Sequence, residues 1–282
     1  MKVAKNEVWD DNDIKICPKK GPTMESIQND HVVKEQYKNE ANLQTRISIH
    51  EKYSVNKQGF GNWIFEQYRL AEHLNVLELG CGNADMWKEN AKKLPTNMNL
   101  ILSDFSQGML SNARNNIGEY DQISLEQIDI QQIPYQDKNF DIIIANMMLY
   151  HVPDIHKGLS EVRRVLKENG LFYCATYGEN GIIEYIQDLL GDFGIQRSKD
   201  KVFTLQSGEQ ILRKHFETVE KLEYNDHLEV TNTEDLADYA LSLSSMIDLS
   251  NVSRNDLITI LEKQKVDGRI YVPKEYGMFI VS

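Results

Sequence analysis

A short turn with two glycines, Glu78-Leu-Gly-Cys-Gly82, is the first place where residue types and spacing indicate chemistry. Gly80 and Gly82 allow a sharp bend and a close approach of the backbone to a ligand, because neither carries a Cβ. Dinucleotide-binding folds place a third glycine beside the pyrophosphate, and here that position is Asp85, an anion. The turn therefore predicts a ligand site that disfavours a pyrophosphate cofactor.

A carboxylate, Asp104, follows the next predicted strand, about twenty residues beyond the glycine turn. From this position a carboxylate can accept hydrogen bonds from ribose hydroxyls. The two features together predict a ligand with a ribose but no pyrophosphate. Taken alone, such a carboxylate is as readily a helix N-cap.

Short apolar runs alternating with helical patterns must position these residues. Strands are predicted at 75–79, 100–103, 123–128, 140–146 and 171–176, with helices at 106–117 and 156–167. Later strand candidates lie at 218–224 and 276–282, with helical patterns at 182–190, 208–216, 234–243 and 254–263. This order predicts an α/β, Rossmann-like, doubly wound and mostly parallel seven-stranded sheet.

The motifs along this predicted sheet resemble those of class I S-adenosylmethionine-dependent methyltransferases, in the group that includes small-molecule and ubiquinone-type enzymes. The glycine turn and Asp104-Phe-Ser-Gln-Gly-Met-Leu110 look like the first two family motifs. The similarity runs from about Arg46 to Thr176 and continues through 128–130, 133–137, 140–146, 150–151 and 161–167, followed by Gly170. Several motifs in the right order are a stronger signal than any one of them.

The resemblance implies S-adenosylmethionine as the cofactor and assigns residues to it. Gly80 and Gly82 would line its methionine and ribose portions, Glu78 would lie near the turn, and Asp104 would hold the ribose. Phe105 and Met109 would flank the adenine, and Asp129 would accept a hydrogen bond from the adenine amino group. Ile130 would offer its backbone amide to the adenine. Asn146 would line the methionine end of the site. Each of these residues also has a purely structural interpretation. Met109 could pack in the hydrophobic core, Asp129 could be a helix N-cap, and Asn146 could satisfy the hydrogen bonds of a strand end.

The composition and periodicity of the chain, together with the resemblance, predict how it is divided. Residues 1–30 are interpreted as a loosely ordered N-terminal arm, and 31–282 as the methyltransferase domain, with covering helices at 31–74 and a donor-binding core at 75–177. The stretch from about 225 to 267 is predicted to be a helical insertion over the pocket, or a simple extra helical layer.

The segment from Arg46 to Asn56 precedes the first strand, where related methyltransferases cover the donor. Arg46 is a candidate for the methionine carboxylate, because its planar fork matches a carboxylate. Tyr53 is a candidate for the reacting centre. The alternative is that both side chains tie the helix to the sheet.

Methyl transfer from a sulfonium is an in-line displacement with a neutral leaving group, so the enzyme mainly aligns the acceptor and excludes water. His151 follows the fourth predicted strand, where its near-neutral pKa suits a proton acceptor, and Tyr150 is expected to shape the pocket or to act. A structural histidine is the alternative for His151.

Composition restricts the partners. With 43 acidic against 31 basic side chains the formal net charge is -12, which argues against a nucleic-acid substrate and for a small-molecule acceptor. Cys17, Cys81 and Cys174 form no CxxC pair or metal site, so a cytoplasmic protein is expected, and no apolar run is long enough for a membrane span. The oligomeric state does not follow from the sequence.

Two other functions stay open on the sequence. A non-catalytic, S-adenosylmethionine-binding regulatory protein would keep the glycine turn and lose the acceptor pocket. A nucleotide-dependent oxidoreductase would share the glycine turn but is disfavoured by Asp85.

Overall fold

The computed structural model describes residues 40–198, 201–244 and 246–282. The arm predicted at 1–30, the first part of the covering region and Cys17 therefore lie outside the described residues. Within these ranges, no helix has the length and apolar character that a membrane crossing requires.

One sheet organises the molecule, and its strands follow the predicted order. They are β1 (Asn75–Leu79), β2 (Asn99–Asp104), β3 (Ile123–Gln127), β4 (Phe140–Ile144), β5 (Leu166–Tyr177), β6 (Val219–Val230) and β7 (Ile270–Val281). The spatial order is β3-β2-β1-β4-β5-β7-β6; β7 pairs antiparallel with both β5 and β6, and the other adjacent strands pair in parallel. The predicted fold class, a mostly parallel seven-stranded sheet of Rossmann-like type, is confirmed.

Nine helices of the described residues flank the sheet or stand beyond its edge. They are α1 (Glu40–Tyr53), α2 (Phe60–Gln67), α3 (Asp85–Asn90), α4 (Gln107–Ile117), α5 (Ile155–Val165), α6 (Ile182–Leu189), α7 (Gly208–Leu212), α8 (Thr233–Ser242) and α9 (Arg254–Glu262). Among them, α1 and α2 are the predicted helical cover, and α8 and α9 lie between the last two strands as predicted.

The last two strands are longer than their apolar patterns predicted. β6 pairs with β7 from Val219 opposite Val281 to Val230 opposite Ile270. Among the described residues, no third strand lies beside the part beyond Tyr224 and Tyr276, because β5 ends at Tyr177 and Ser54 forms only an isolated bridge with Leu228. A two-stranded ribbon therefore projects past the carboxyl end of β5, and the insertion begins several residues later than the predicted 225.

Two hydrophobic layers cover the faces of the sheet, and a third cluster stands beyond its edge. One layer packs α5 and the segment around Phe203 onto β1, β4 and β5, and the other packs α2, α3 and α4 onto the opposite face. The third cluster joins the projecting ribbon to α1, α6, α8 and α9. This arrangement places a helical layer beside the carboxyl edge, where an open α/β sheet binds its ligands.

Candidate active site

The glycine turn after β1 has the backbone geometry that only glycine adopts at low cost. Gly80 has φ 73° and Gly82 has φ 59°, both in the left-handed region. A Cβ on Gly80 would lie 2.8 Å from Cγ of Met148, whereas a Cβ on Gly82 would meet no atom within 4 Å. Gly80 is therefore required for packing, and the space beside Gly82 is open.

Asp104 at the end of β2 is bound to this turn. Its carboxylate accepts the Gly82 amide at 2.9 Å through Oδ2 and the Ser106 amide at 2.8 Å through Oδ1. Ser106, not Asp104, is the N-cap of α4, because its hydroxyl accepts the Met109 amide at 3.4 Å. Burial raises the pKa of Asp104, against the lowering effect of the two amides.

A buried polar network lies behind the turn. Glu78 is only 3% exposed and accepts a hydrogen bond from the indole Nε1 of Trp87. Burial raises the pKa of Glu78 to about 7. Asn146, just after β4, donates to the Tyr68 hydroxyl at 2.6 Å, while its buried Oδ1 finds no donor in the described ranges. The network thus leaves one buried acceptor available.

The residues assigned to the adenine follow the ends of β2 and β3. Phe105 is 45% exposed, an unusual exposure for a large apolar side chain, and Met109 is half-buried one helical turn later. Asp129 accepts the Gln131 amide at 2.8 Å, and Ile130 beside it is buried. Asp129 therefore closes a local turn and caps none of the helices described.

The covering helix α1 packs against α8 through three pairs spaced one helical turn apart. Arg46 donates to the Ser242 carbonyl at 3.3 Å, the His50 and Tyr239 rings meet edge to face at 6.3 Å, and the Tyr53 hydroxyl donates to Asp235 at 2.6 Å. Arg46 and Tyr53 thus attach α1 to α8 of the insertion. The alternative given by the sequence was that these side chains attach the helix to the sheet.

Tyr150 and His151 lie in a short 3-10 turn after β4. Their rings are 4.5 Å apart, and the Tyr150 ring is 4.6 Å from that of Tyr177 at the end of β5. The same segment contributes Met148, which contacts the glycine turn. The segment therefore contacts the glycine turn through Met148 and the end of β5 through Tyr150.

Sequence reasoning missed a row of tyrosines across three strands. Tyr177 pairs with Tyr276, and Tyr276 pairs with Tyr224, so their side chains project to the same face. The His50 ring lies 6.1 Å from that of Tyr276. Tyr177 directly follows a predicted strand, so the sequence could have identified it as a residue at the carboxyl edge. Tyr276 and Tyr224 reach it through the registers of β6 and β7, which the sequence does not predict.

Two buried ion pairs flank this tyrosine row. Lys201 pairs with Glu184, and Lys274 pairs with Asp226 and also donates to the Ser54 hydroxyl at 2.7 Å. The Lys274 ammonium lies 5.7 and 5.5 Å from the Tyr224 and Tyr276 ring centres.

These charges and the burial of the site shift the neighbouring pKa values. Burial lowers the pKa of Lys274, although Asp226 opposes the shift. Burial alone would raise the pKa of Asp226. Hydrogen bonds from Lys274 and the Asn56 amide outweigh burial, so the pKa of Asp226 is lowered. Burial and the Lys274 charge lower the pKa of His50 to about 4, so His50 is neutral at neutral pH.

Comparison with known proteins gives matches over the part of the chain that holds the glycine turn. A family described as "Methyltransferase domain" matches residues 70–239, more than half of the chain. The ubiquinone/menaquinone biosynthesis C-methyltransferase UbiE of Rickettsia prowazekii (strain Madrid E) is 32% identical over 111 residues, which cover 37% of this chain and 45% of the relative. The demethylmenaquinone methyltransferase of Lactobacillus johnsonii (strain CNCM I-12250 / La1 / NCC 533) is 32% identical over 137 residues, covering 45% and 56%.

The matched stretch thus spans about half the length of these curated relatives. Among solved structures, phosphoethanolamine N-methyltransferase 2 of Haemonchus contortus, in complex with S-adenosyl-L-methionine, superposes with a TM-score of 0.56 at 15% identity. That superposition covers 90% of this chain and 59% of the other. At this identity the likeness concerns the fold alone.

Proposed function

This chain belongs to the family of methyltransferase domains matched over residues 70–239, and on that premise we propose that it transfers a methyl group to a small-molecule acceptor. The family match confirms the enzyme class indicated by the motifs, an S-adenosylmethionine-dependent methyltransferase, and with it the predicted cofactor. The acceptor and the roles of individual residues are proposals.

The residues around the glycine turn fit S-adenosylmethionine. The observation that carries the fit is the buried Oδ1 of Asn146, for which the described residues supply no donor. A buried carbonyl oxygen without a partner costs free energy, so it is suited to accept from the ammonium group of a methionine moiety. The open space beside Gly82 and the exposed ring of Phe105 supply room for the ribose and a stacking surface for the adenine.

We assign the binding roles accordingly. Asp104 holds the ribose hydroxyls while its bonds to the Gly82 and Ser106 amides fix its orientation. Glu78, behind the turn, holds Trp87 and so maintains the packing of α3. The adenine lies among Phe105, Met109, Asp129 and the Ile130 amide. Arg46 uses one N–H in its bond to the Ser242 carbonyl, and its other guanidinium N–H groups are the proposed partners of the methionine carboxylate.

When bound, the cofactor supplies an electrophilic methyl group on a sulfonium. The chain's own task is then to align the acceptor and exclude water, which matters most in an in-line displacement. Tyr150 contacts Tyr177 and lies two residues after Met148, which contacts the glycine turn, so we propose that it shapes the wall beside the reacting atoms. His151 next to it is the proposed proton acceptor for an acceptor that arrives protonated.

Two features support a small acceptor. The net charge of -12 disfavours a phosphate backbone, and the helical layer of α1, α6, α8 and α9 stands beside the carboxyl edge, where it can enclose a compact molecule. The printed names of both curated relatives, which refer to ubiquinone and menaquinone or to demethylmenaquinone, agree with this proposal.

The test has two stages. Calorimetric titration with S-adenosylhomocysteine and with NAD compares the two ligand classes, and we expect binding of the first only. Radiolabelled S-adenosylmethionine is then incubated with protein and a metabolite extract, total RNA or DNA. Label in small metabolites supports the proposal, whereas salt-sensitive label in nucleic acid would overturn the small-molecule acceptor. Donor binding without turnover on any acceptor would favour a regulatory protein.

A further inference from the structure

Tyr68, which directly follows α2, is a buried aromatic residue whose hydroxyl reaches the polar network behind the glycine turn. Its ring lies nearly parallel to that of Trp87, with the centroids 6.3 Å apart. The rings of Phe65 and Tyr173 meet it edge to face at 6.1 and 5.1 Å. Tyr68 is only 8% exposed, so packing on three sides fixes the position of its hydroxyl.

The amide of Asn146 is oriented by this hydroxyl and by the Glu78 carboxyl group. Its Nδ2 donates to the Tyr68 hydroxyl at 2.6 Å, while that hydroxyl directs its own hydrogen to the Met86 sulfur at 3.9 Å. Burial raises the pKa of Glu78, and hydrogen bonds from Trp87 and from the Asn146 amide oppose the rise. Because both neighbours of Asn146 accept, its nitrogen faces them and its oxygen faces away.

Asn146 lies beside the glycine turn with its amide oxygen unused. Glu78 pairs with Ile144 across β1 and β4, so Asn146, two residues after Ile144, lies at the level of Gly80. Met148, two residues further along, packs against Gly80. Oδ1 of Asn146 is buried and finds no donor within 40–198, 201–244 and 246–282. A buried oxygen of this kind gains stability when a ligand donates to it.

We infer that Tyr68 is a positioning residue for the methyl donor: its hydroxyl holds the Asn146 amide in the orientation that presents Oδ1 to the ammonium group of S-adenosylmethionine. This inference rests on the proposed function and adds a residue that lies outside the glycine turn and the strand ends. With the amide reversed, an N–H group would face the ammonium, and two donors would meet.

Glu78 alone does not fix this orientation. Its pKa of about 7 leaves it partly protonated at neutral pH, and a protonated carboxyl group donates as well as accepts. The Tyr68 hydroxyl, whose hydrogen is directed to the Met86 sulfur, accepts from Asn146 in either state of Glu78. Removing the hydroxyl therefore removes the partner that distinguishes the two ends of the Asn146 amide.

The experiment compares two probes that share the adenosine and the sulfur. S-adenosylhomocysteine carries the amino-acid part of the donor, and methylthioadenosine lacks it. Both are titrated by calorimetry into the full chain, as wild type and as Tyr68→Phe, which keeps the ring and its packing. We expect Tyr68→Phe to weaken S-adenosylhomocysteine binding about 3- to 10-fold, as for one hydrogen bond, and to leave methylthioadenosine binding unchanged. Equal weakening of both probes, or unchanged affinity for S-adenosylhomocysteine, would overturn the inference.

Tyr173→Phe is the matched control. Tyr173 belongs to the same aromatic cluster and is 0% exposed, and its hydroxyl accepts the Arg69 amide at 3.2 Å. The variant thus loses a hydroxyl and a hydrogen bond beside Tyr68 while the bond between Tyr68 and Asn146 stays intact. It should bind both probes as wild type does. A loss of S-adenosylhomocysteine affinity as large as in Tyr68→Phe would show that the cluster acts through packing alone, against a positioning role.

A double variant tests whether Tyr68 acts through Asn146. Asn146→Ala should weaken S-adenosylhomocysteine binding, and adding Tyr68→Phe to it should cause no further loss, because no amide is left to orient. A further loss as large as in the wild-type background would contradict the inference. Urea denaturation verifies that each variant is folded. Failure of the wild-type chain to bind S-adenosylhomocysteine would contradict the proposed function itself, whereas normal binding by all variants would remove only the role of Tyr68.

Discussion

The Asp104 carboxylate accepts the Gly82 amide at 2.9 Å, so the end of β2 holds the turn that follows β1. The second carboxylate oxygen accepts the Ser106 amide at the start of α4. Each carboxylate oxygen has a further lone pair, so Asp104 can accept from a ligand without giving up either bond. The backbone amides of Gly82 and Ser106 therefore orient Asp104, the residue proposed to hold the ribose.

Replacing Asp104 by alanine should weaken S-adenosylhomocysteine binding by about 1 to 3 kcal/mol, the usual contribution of hydrogen bonds to a charged acceptor. Isothermal titration calorimetry measures the change. Asp121→Ala, an exposed carboxylate in the loop before β3, is the control and should bind normally. Unchanged affinity in a folded Asp104→Ala variant would remove Asp104 from the site.

The two glycines of the turn should respond differently to alanine. Gly80→Ala combines left-handed strain with a contact at 2.8 Å to Met148 and should lower the free energy of unfolding by about 2 to 4 kcal/mol. Gly82→Ala carries the strain alone, about 1 to 2 kcal/mol, but should also reduce donor affinity, because its Cβ enters the open space.

Gly118→Ala provides the control for strain, since Gly118 has φ 74°, meets nothing within 4 Å and lies at the far end of α4. Urea denaturation and donor titration are measured on all three variants. A Gly82→Ala protein that binds S-adenosylhomocysteine as well as Gly118→Ala does would contradict a ligand beside Gly82.

Glu78 should make stability depend on pH. Its pKa is about 7 in the folded protein against an ordinary value of 4.5, because burial disfavours the charge. Between these values the folded state binds more protons than the unfolded state, so the free energy of unfolding falls as pH rises, by up to about 3 kcal/mol. Glu78→Gln keeps an acceptor for Trp87 and removes the titration.

The quantity to measure is the difference in unfolding free energy between wild type and Glu78→Gln from pH 4.5 to 7.5, without donor. This difference cancels other titrating groups, including His50, whose lowered pKa makes stability fall toward acid pH instead. We expect wild type to lose stability relative to the variant as pH rises. A constant difference would show that Glu78 titrates normally.

The Tyr53 hydroxyl should stabilise the cover rather than serve chemistry, because it donates to Asp235 at 2.6 Å. Tyr53→Phe should speed amide exchange in α1 about 2- to 10-fold, as expected for one lost hydrogen bond, and S-adenosylhomocysteine should slow it. Hydrogen exchange mass spectrometry measures both, with the exposed Tyr120→Phe as control. Normal exchange with lost turnover would place Tyr53 at the reacting centre instead.

The sequence by itself determined the parallel core and the position of the proposed cofactor site. Strands β1 to β4 are short apolar runs, and their ends carry Gly80, Gly82, Asp104 and Asn146. Such ends meet at one edge because parallel strands connected through helices run in the same direction. Local patterns were therefore sufficient for these residues, and the order of motifs supplied the family.

Only the tertiary structure decided what faces this edge from outside. The joining of Tyr177, Tyr276 and Tyr224 depends on the register of β6 and β7, which are separated in sequence by the insertion. The position of His50 depends on the packing of α1 against α8, and the charge pairs depend on contacts such as Lys274 with Asp226. Residues far apart in the chain are brought together by burial, which leaves no periodic signal in the sequence at any one of them.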